Sequence, residues 1–269
     1  MTEITIGMAQ MLVEPGRLDA NLGRAKDMVQ QAAAAGCDAV VLPECLDLGW
    51  THESARALAA PVPGRVSEFL SELAADAGVL LAAGLTERAG PRIYNAALLI
   101  SAEGETLRHH RKVNELDFAR ALYSTGSSLE VADTALGGVG LVICADNAAS
   151  SSALGDALGL MGANLILSPS AWAVPPGHDN GRTPYGGEWE DTYVPLAQKH
   201  DMPVIGVSNV GPVVGGEWNG WRCIGASLAI GRDGSVLAQG PYGVDAEELI
   251  VVTTDVRDTA SPRVPSAAG

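Results

Sequence analysis

The sequence predicts an α/β protein in which two β-sheets pack on each other and helices cover the outside. Short apolar segments bounded by turn residues, which are typical of strands, outnumber the longer amphipathic segments that are typical of helices. Pairs of predicted strands, rather than single strands, separate the helices, which disfavours one doubly wound sheet. The chain has 269 residues, of which 47% are hydrophobic, enough for one large domain with a sizeable core.

The elements of the N-terminal half follow from alternation, helical periodicity and glycine stops. Residues 4–10 alternate and contain β-branched side chains, which predicts a first strand. Residues 18–35 place apolar side chains on one helical face, and Gly36 can end that helix. The same criteria predict a strand at 38–44, a helix at 65–77 and strands at 79–85, 94–101 and 107–112.

The C-terminal half is organised around Cys144. An apolar run at 139–143, broken only by Gly140, predicts a buried strand that leads into this cysteine. A helix is predicted to follow at 152–161, and a helix N-terminus beyond Cys144 would favour its thiolate. The remaining predicted elements are a strand at 163–172, a loop at 173–187, a helix at 189–200, a strand at 203–209, a loop at 211–220, a hairpin at 227–238 and a strand at 248–256.

Composition and charge exclude several classes of protein. The net charge of -15 disfavours nucleic acid and anionic membranes as partners. No apolar stretch is long enough to span a bilayer, and the N-terminus has no signal-type apolar core, so we expect a cytoplasmic protein. The four cysteines contain no CxxC pair, so we expect neither a disulfide scaffold nor a metal site.

The sequence indicates one domain followed by a short tail. No internal repeat or shift in composition marks a linker within residues 1–257. Residues 258–269 have little apolar content, and we expect this tail to be mobile or to lie at a subunit contact.

Three predicted strand ends present reactive side chains, Glu44, Lys112 and Cys144. A carboxylate can take the thiol proton, and an ammonium can stabilise both a thiolate and the oxyanion formed when the thiolate attacks a carbonyl. The set is therefore complete for acyl chemistry without a metal or another cofactor. Each residue also has an ordinary alternative: a buried core thiol, a solvated lysine, or a glutamate that begins a loop.

Three motifs, in this order along the chain, resemble the signatures of the nitrilase, or carbon-nitrogen hydrolase, superfamily: Leu42-Pro43-Glu44, Arg111-Lys112 and Gly140-Leu-Val-Ile-Cys144-Ala-Asp146. The resemblance implies a four-layer α-β-β-α sandwich of two mixed sheets with outer helices. It also implies that Cys144 is the nucleophile and Glu44 the general base. Lys112 would stabilise the tetrahedral intermediate together with the backbone N–H of Ala145.

The residues after the nucleophile narrow the implied reaction. Ala145 and Asp146 resemble the amidase and carbamoylase branch, whereas true nitrilases typically have Trp-Glu there. We therefore expect hydrolysis of a non-peptide C–N bond in a small amide or carbamoyl (ureido) compound, through a thioester. Transfer of the acyl group to another acceptor, hydrolysis of a nitrile, and a catalytically inactive binding or scaffold protein are the alternatives.

The chain also departs from the family pattern. Small residues at 148–152 replace the Arg-Phe-Pro-Glu of many relatives, and the second glutamate expected in the loop after Lys112 is absent. Glu115 is a candidate for that supporting role, with a surface position as the alternative. Trp50, Tyr123 and Trp172 follow the motif strands and are candidates for substrate binding or for simple packing. By the same resemblance, we expect a homodimer or higher homo-oligomer.

Overall fold

A computed structural model describes residues 1–257; the predicted tail at 258–269 lies outside the described residues. The first sheet has six strands, with three parallel strands flanked by antiparallel neighbours. In spatial order, with numbers that follow the chain, these strands are β15 (Glu248–Val256), β1 (Thr2–Gln10), β2 (Ala39–Val41), β3 (Leu80–Ala89), β4 (Arg92–Ile100) and β5 (Thr106–Arg111).

The second sheet repeats this mixed arrangement. Its six strands, in spatial order, are β14 (Val236–Gln239), β13 (Leu228–Ile230), β10 (Val204–Ser208), β8 (Leu165–Ser170), β7 (Gly137–Leu141) and β6 (Val131–Thr134). Strands β10, β8 and β7 run parallel, and the outer pairs are antiparallel. A small antiparallel sheet of three strands comprises β11 (Val210–Pro212), β12 (Arg222–Ile224) and β9 (Ala173–Val174).

The described helices lie outside the two large sheets or in their connections. They are α1 (Leu18–Ala34), α2 (Ala55–Leu58), α3 (Arg65–Ala77), α4 (Ser152–Met161) and α5 (Gly187–His200). Three 3₁₀ turns, at Asp117–Ala121, Cys144–Asn147 and Ala149–Ser151, complete the described helical structure. Within residues 1–257, no helix combines the length and the apolar composition that a bilayer span requires.

Three layers of apolar packing confirm the predicted four-layer sandwich. Ile6 of the first sheet and Leu167 of the second belong to one buried cluster between the sheets. Val29 and Leu70, from α1 and α3, pack on the outer face of the first sheet. Helices α4 and α5 cover the outer face of the second sheet, with Leu196 in that cluster. Each such side chain contributes about 1.5–3 kcal/mol to the free energy of folding when it is fully buried. Apolar burial therefore stabilises the contacts between all four layers.

The structure differs from the sequence predictions at one strand, two loops and the start of one helix. The strand predicted at 38–44 ends at Val41, because Pro43 has no N–H to continue the ladder and the chain turns there. The segment predicted as a loop at 173–187 contains β9, and the first two residues of the loop predicted at 211–220 belong to β11 (Val210–Pro212). Helix α5 also starts at Gly187, two residues earlier than predicted.

Candidate active site

Glu44 lies just beyond the end of β2 and is buried. After Pro43 the chain turns, and the Glu44 N–H donates to the Ser170 carbonyl of β8 at 3.2 Å. Gly84 of β3 donates to the Pro43 carbonyl at 3.1 Å, and a Cβ at Gly84 would lie 2.6 Å from the Glu44 Cα. Only glycine allows this close approach, so the position of Glu44 depends on strands from both sheets.

Lys112 follows the last residue of β5 and is buried, with 1% of its surface exposed. Its N–H donates to the Asn95 carbonyl at 2.9 Å, which fixes the backbone against β4. Its Nζ donates to Glu44 Oε1 at 2.7 Å and lies 3.9 Å from Glu115 Oε2. Burial lowers the pKa of Lys112, but the Glu115 and Glu44 carboxylates outweigh it and hold that pKa well above its usual range. Lys112 is therefore an ammonium.

Cys144 begins the turn Cys144–Asn147 and has a left-handed backbone, with φ of 44°. A non-glycine residue in this region is strained and needs its surroundings to hold it there. Of the four cysteines, Cys144 alone is partly exposed. Burial and the Glu44 carboxylate raise the pKa of the Cys144 thiol, and the Lys112 ammonium opposes that rise only in part. The predicted helix at 152–161 begins at Ser152, and the 3₁₀ turn Cys144–Asn147 separates it from the strand that precedes Cys144.

The three groups meet as an ion pair beside a neutral thiol. Glu44 Oε1 accepts hydrogen bonds from Lys112 and from Asn95 Nδ2, the second at 2.5 Å. Glu44 Oε2 is buried and accepts no hydrogen bond from any described residue, and the Cys144 thiol is close enough to the Glu44 carboxylate to interact with it. A carboxylate with a free oxygen next to a thiol can remove the thiol proton when the sulfur attacks.

Glu115 lies within this buried network rather than on the surface. Its side chain is fully buried, and its Oε1 accepts from Asn95 Nδ2 at 2.8 Å. One amide group of Asn95 therefore bridges the Glu44 and Glu115 carboxylates. Burial raises the pKa of Glu115 to about 7, even though the Lys112 ammonium lowers it. The sequence singles out Glu115 but contains no signal for Asn95, which reaches the site only through the pairing of β4 with its neighbours.

Cys144, Glu44 and Lys112 lie at one cavity of about 340 Å³. Such a cavity has the size of a small-molecule site. Its other lining residues are small or aromatic, apart from one leucine and one further acid: Trp50, Leu116, Ala145, Ala148, Ala149, Ser150, Ala171, Trp172, Ala173, Tyr185, Glu188, Trp189 and Trp218. Among residues 1–257, no group of three or more His, Cys, Asp or Glu side chains is arranged to hold a metal ion.

This fold and this set of residues agree with a match of the sequence to a known family. A family model described as carbon-nitrogen hydrolase matches residues 5–263. The chain belongs to the carbon-nitrogen hydrolase family. It is a hydrolase of C–N bonds other than peptide bonds.

Individual relatives of this carbon-nitrogen hydrolase are distant in sequence. It is 29% identical to an omega-amidase of Danio rerio over 187 residues, which cover 66% of each chain. A carbon-nitrogen hydrolase structure from Helicobacter pylori superimposes with a TM-score of 0.83 at 22% identity, covering 94% of this chain and 89% of the other. An amidase mutant from Nesterenkonia sp. AN1, with an acetamide moiety covalently added at its active site cysteine, gives a TM-score of 0.78 at 21% identity, covering 93% and 89%.

In this carbon-nitrogen hydrolase, Asp146 ties the Lys112 segment to the Cys144 segment. Its Oδ1 accepts from the backbone N–H groups of Val113 and Asn114 at 2.9 and 2.7 Å. Its Oδ2 accepts from the Ile143 N–H at 3.1 Å and bonds to His110 Nε2 at 2.8 Å. The carboxylate is fully buried. Asp146 stands in the third sequence motif, but its contacts become visible only when the two strand ends meet.

Of the three aromatic residues predicted to bind substrate, two line the cavity and one packs outside its lining. Trp50 and Trp172 line the cavity. Tyr123 does not belong to the lining: its hydroxyl accepts from the Thr51 N–H at 3.0 Å and lies 3.8 Å from Cys45 Sγ. The packing alternative therefore describes Tyr123, which supports the segment that follows Glu44. Ala145 lies in the lining, in the first turn after Cys144, where helix N–H groups have no partner within the helix.

The sequence places Trp189 and Trp218 near the predicted loops at 173–187 and 211–220, where we expect them to line the entrance or a subunit contact, but it does not single out Tyr185 or Glu188. All four line the cavity: Tyr185 and Trp218 lie in those predicted loops, and Glu188 and Trp189 lie at the start of α5. A concentration of aromatic residues in such segments was the available signal, since four of the five tryptophans of the chain line this one cavity.

Proposed function

We propose that this chain is a cysteine-dependent amidohydrolase that cleaves the C–N bond of a small amide or carbamoyl compound through a thioester. One observation supports this function above all. A partly exposed thiol, a carboxylate with a free oxygen and a buried ammonium, from three separate strand ends, lie at the same cavity. The cysteine adduct of the amidase from Nesterenkonia sp. AN1 adds support, because that protein shares this fold.

In the acylation step, Cys144 Sγ attacks the amide carbon while Glu44 Oε2 takes the thiol proton. Transfer during the attack suits the raised pKa of the thiol, since little thiolate is present beforehand. The oxyanion is stabilised by the Lys112 ammonium and by the backbone N–H of Ala145. Glu44 then returns the proton to the leaving nitrogen, the C–N bond breaks, and ammonia or an amine leaves an acyl group on Cys144.

In the deacylation step, water replaces the departed nitrogen compound. Glu44 removes a proton from the water as its oxygen attacks the thioester carbon, and the C–S bond breaks with the proton returning to Cys144. The products are a carboxylic acid and the free thiol. Glu115 supports both steps by holding Lys112 and Asn95 in place, at 3.9 and 2.8 Å.

Ammonia release from a panel of small amides tests this function. Cys144→Ala is expected to abolish turnover, because no other thiol lines the cavity within the described residues. Cys37→Ala is the matched control, since Cys37 is buried in the outer core and is expected to leave turnover intact. A thioester adduct on Cys144, detected by mass spectrometry, is the second readout. Ammonia release at the normal rate from a folded Cys144→Ala protein would disprove the assignment.

A further inference from the structure

The cavity lining includes an acid that the proposed reaction does not use. Three charged side chains line the cavity among the described residues, and two of them, Glu44 and Lys112, neutralise each other at 2.7 Å. The third is Glu188, in the first turn of α5. No arginine and no second lysine lines the described cavity. The charge available to a bound molecule is therefore negative.

Glu188 lies beside the aromatic wall rather than apart from it. Burial raises the pKa of Tyr185, and the carboxylate of Glu188 and the sulfur of Cys144 both add to that rise. The Tyr185 hydroxyl thus interacts electrostatically with both Glu188 and Cys144. That hydroxyl also accepts a hydrogen bond from Trp189 Nε1 at 3.0 Å. Glu188 lines the cavity and is exposed to solvent, so it can meet an incoming molecule.

The aromatic side chains of the cavity suit the same kind of ligand. Indole rings attract ammonium groups more strongly than other aromatic rings do. Four tryptophans line the cavity, and Trp50 already lies 5.8 Å from the Lys112 Nζ in a cation–π arrangement. Trp172 stacks on Trp189 with centroids 4.8 Å apart, which holds that part of the wall rigid.

The N-terminus of α5 does not reverse this preference. A helix N-terminus attracts anions, but Glu188 and Glu190 already occupy its first turn. The net charge of -15 also favours the approach of cations over anions.

We propose that the substrate is a small amide whose acyl chain ends in a cationic group, which Glu188 and the tryptophan-rich wall bind while the amide reaches Cys144. This proposal rests on the amidohydrolase function proposed above. When ammonia is the leaving group, any feature that the enzyme recognises must belong to the acyl part. The cation therefore lies on the acyl chain, at a distance set by the span between Cys144 and Glu188.

Three matched series of amides test the substrate class. Each has two to five methylene groups between the amide and an end group that is an ammonium, a methyl or a carboxylate. We expect the best ammonium compound to exceed its methyl counterpart in kcat/KM by about tenfold, the combined size of a cation–π contact and a screened ion pair. The carboxylate compounds are expected to be the poorest. Raising the salt concentration is expected to reduce the preference for ammonium.

Glu188→Gln and Glu190→Gln form the matched pair of variants. Both remove one negative charge from the first turn of α5, but only Glu188 lines the cavity. We expect Glu188→Gln to reduce the ammonium-to-methyl ratio of kcat/KM by about tenfold, and Glu190→Gln to keep it. Three results would overturn the proposal: methyl compounds as good as ammonium ones, a preference for carboxylates, or an unchanged ratio in Glu188→Gln.

The same assay separates failure of this inference from failure of the proposed function. Turnover of methyl compounds that depends on Cys144, without a preference for ammonium, refutes the substrate class alone. No ammonia from any series, together with no acyl adduct on Cys144, refutes the amidohydrolase function itself.

Discussion

The buried carboxyl of Glu115 makes the stability of this carbon-nitrogen hydrolase depend on pH. Burial raises its pKa from 4.5 to about 7, against the opposing effect of the Lys112 ammonium. Its Oε2 has no hydrogen-bond partner among the described residues and lies 3.9 Å from the Lys112 Nζ. Ionisation therefore places an incompletely compensated charge in the core. Replacement of Glu115 by glutamine keeps the shape of the protonated acid and removes the titration.

The sign and size of the effect follow from proton linkage. Between pH 4.5 and 7 the folded state binds more protons at Glu115 than the unfolded state, so this contribution to stability is lost as the pH rises. The rise in pKa from 4.5 to about 7, at 1.36 kcal/mol per pKa unit, corresponds to about 3 kcal/mol. We expect Glu115→Gln to match the wild type at pH 4.5 and to be about 3 kcal/mol more stable above pH 7.

Urea unfolding of the wild type and the variant, from pH 4.5 to 8.5, measures this difference directly. Asp47 and Glu87, whose pKa values are about 6 and about 2, titrate in both proteins. Their contributions therefore cancel when the stability of the wild type is subtracted from that of the variant. Glu72→Gln, on an exposed position of α3, is the control and is expected to show no such dependence. A difference that is flat between pH 4.5 and 7, or that has the opposite sign, would refute the account of Glu115. Turnover is expected to fall in the more stable variant, because Lys112 loses a supporting carboxylate.

Two further substitutions test how the site is held. Gly84→Ala places a Cβ 2.6 Å from the Glu44 Cα, so we expect the displaced carboxylate to lower kcat/KM by about 10²-fold. Gly23→Ala in α1, where the new methyl meets nothing within 4 Å, is expected to keep activity and to stabilise the helix by up to about 1 kcal/mol. Asp146→Asn breaks a buried carboxylate network with four donors. We expect it to cost about 3 kcal/mol in urea unfolding; a loss below 0.5 kcal/mol would contradict that role.

Local sequence information was sufficient for the helices that end at glycine. The segments predicted at 65–77 and 152–161 coincide with α3 and α4. In both, apolar side chains repeat on one face, and the residue after the helix, Gly78 or Gly162, adopts a left-handed backbone. These signals lie within about twenty residues, so no distant contact is needed to specify them.

The small sheet and the length of β2 were not predictable in the same way. Strands β9, β11 and β12 have two or three residues each, and β9 lies far along the chain from the other two. Their pairing, such as Cys223 with Ala173, exists only because the surrounding fold brings them together. Short segments of this kind carry too little periodicity to be distinguished from loops.

By itself, the order of residues determined the two-sheet architecture, the family and the three reactive side chains, because alternation, glycine stops and short motifs are properties of neighbouring residues. Tertiary structure decided the rest. It joined Glu44 and Glu115 through Asn95, moved Tyr123 out of the cavity lining, and raised the pKa of the Cys144 thiol. Burial, close approach and electrostatic interaction depend on distances between residues that are remote in the chain, and only the folded molecule sets those distances.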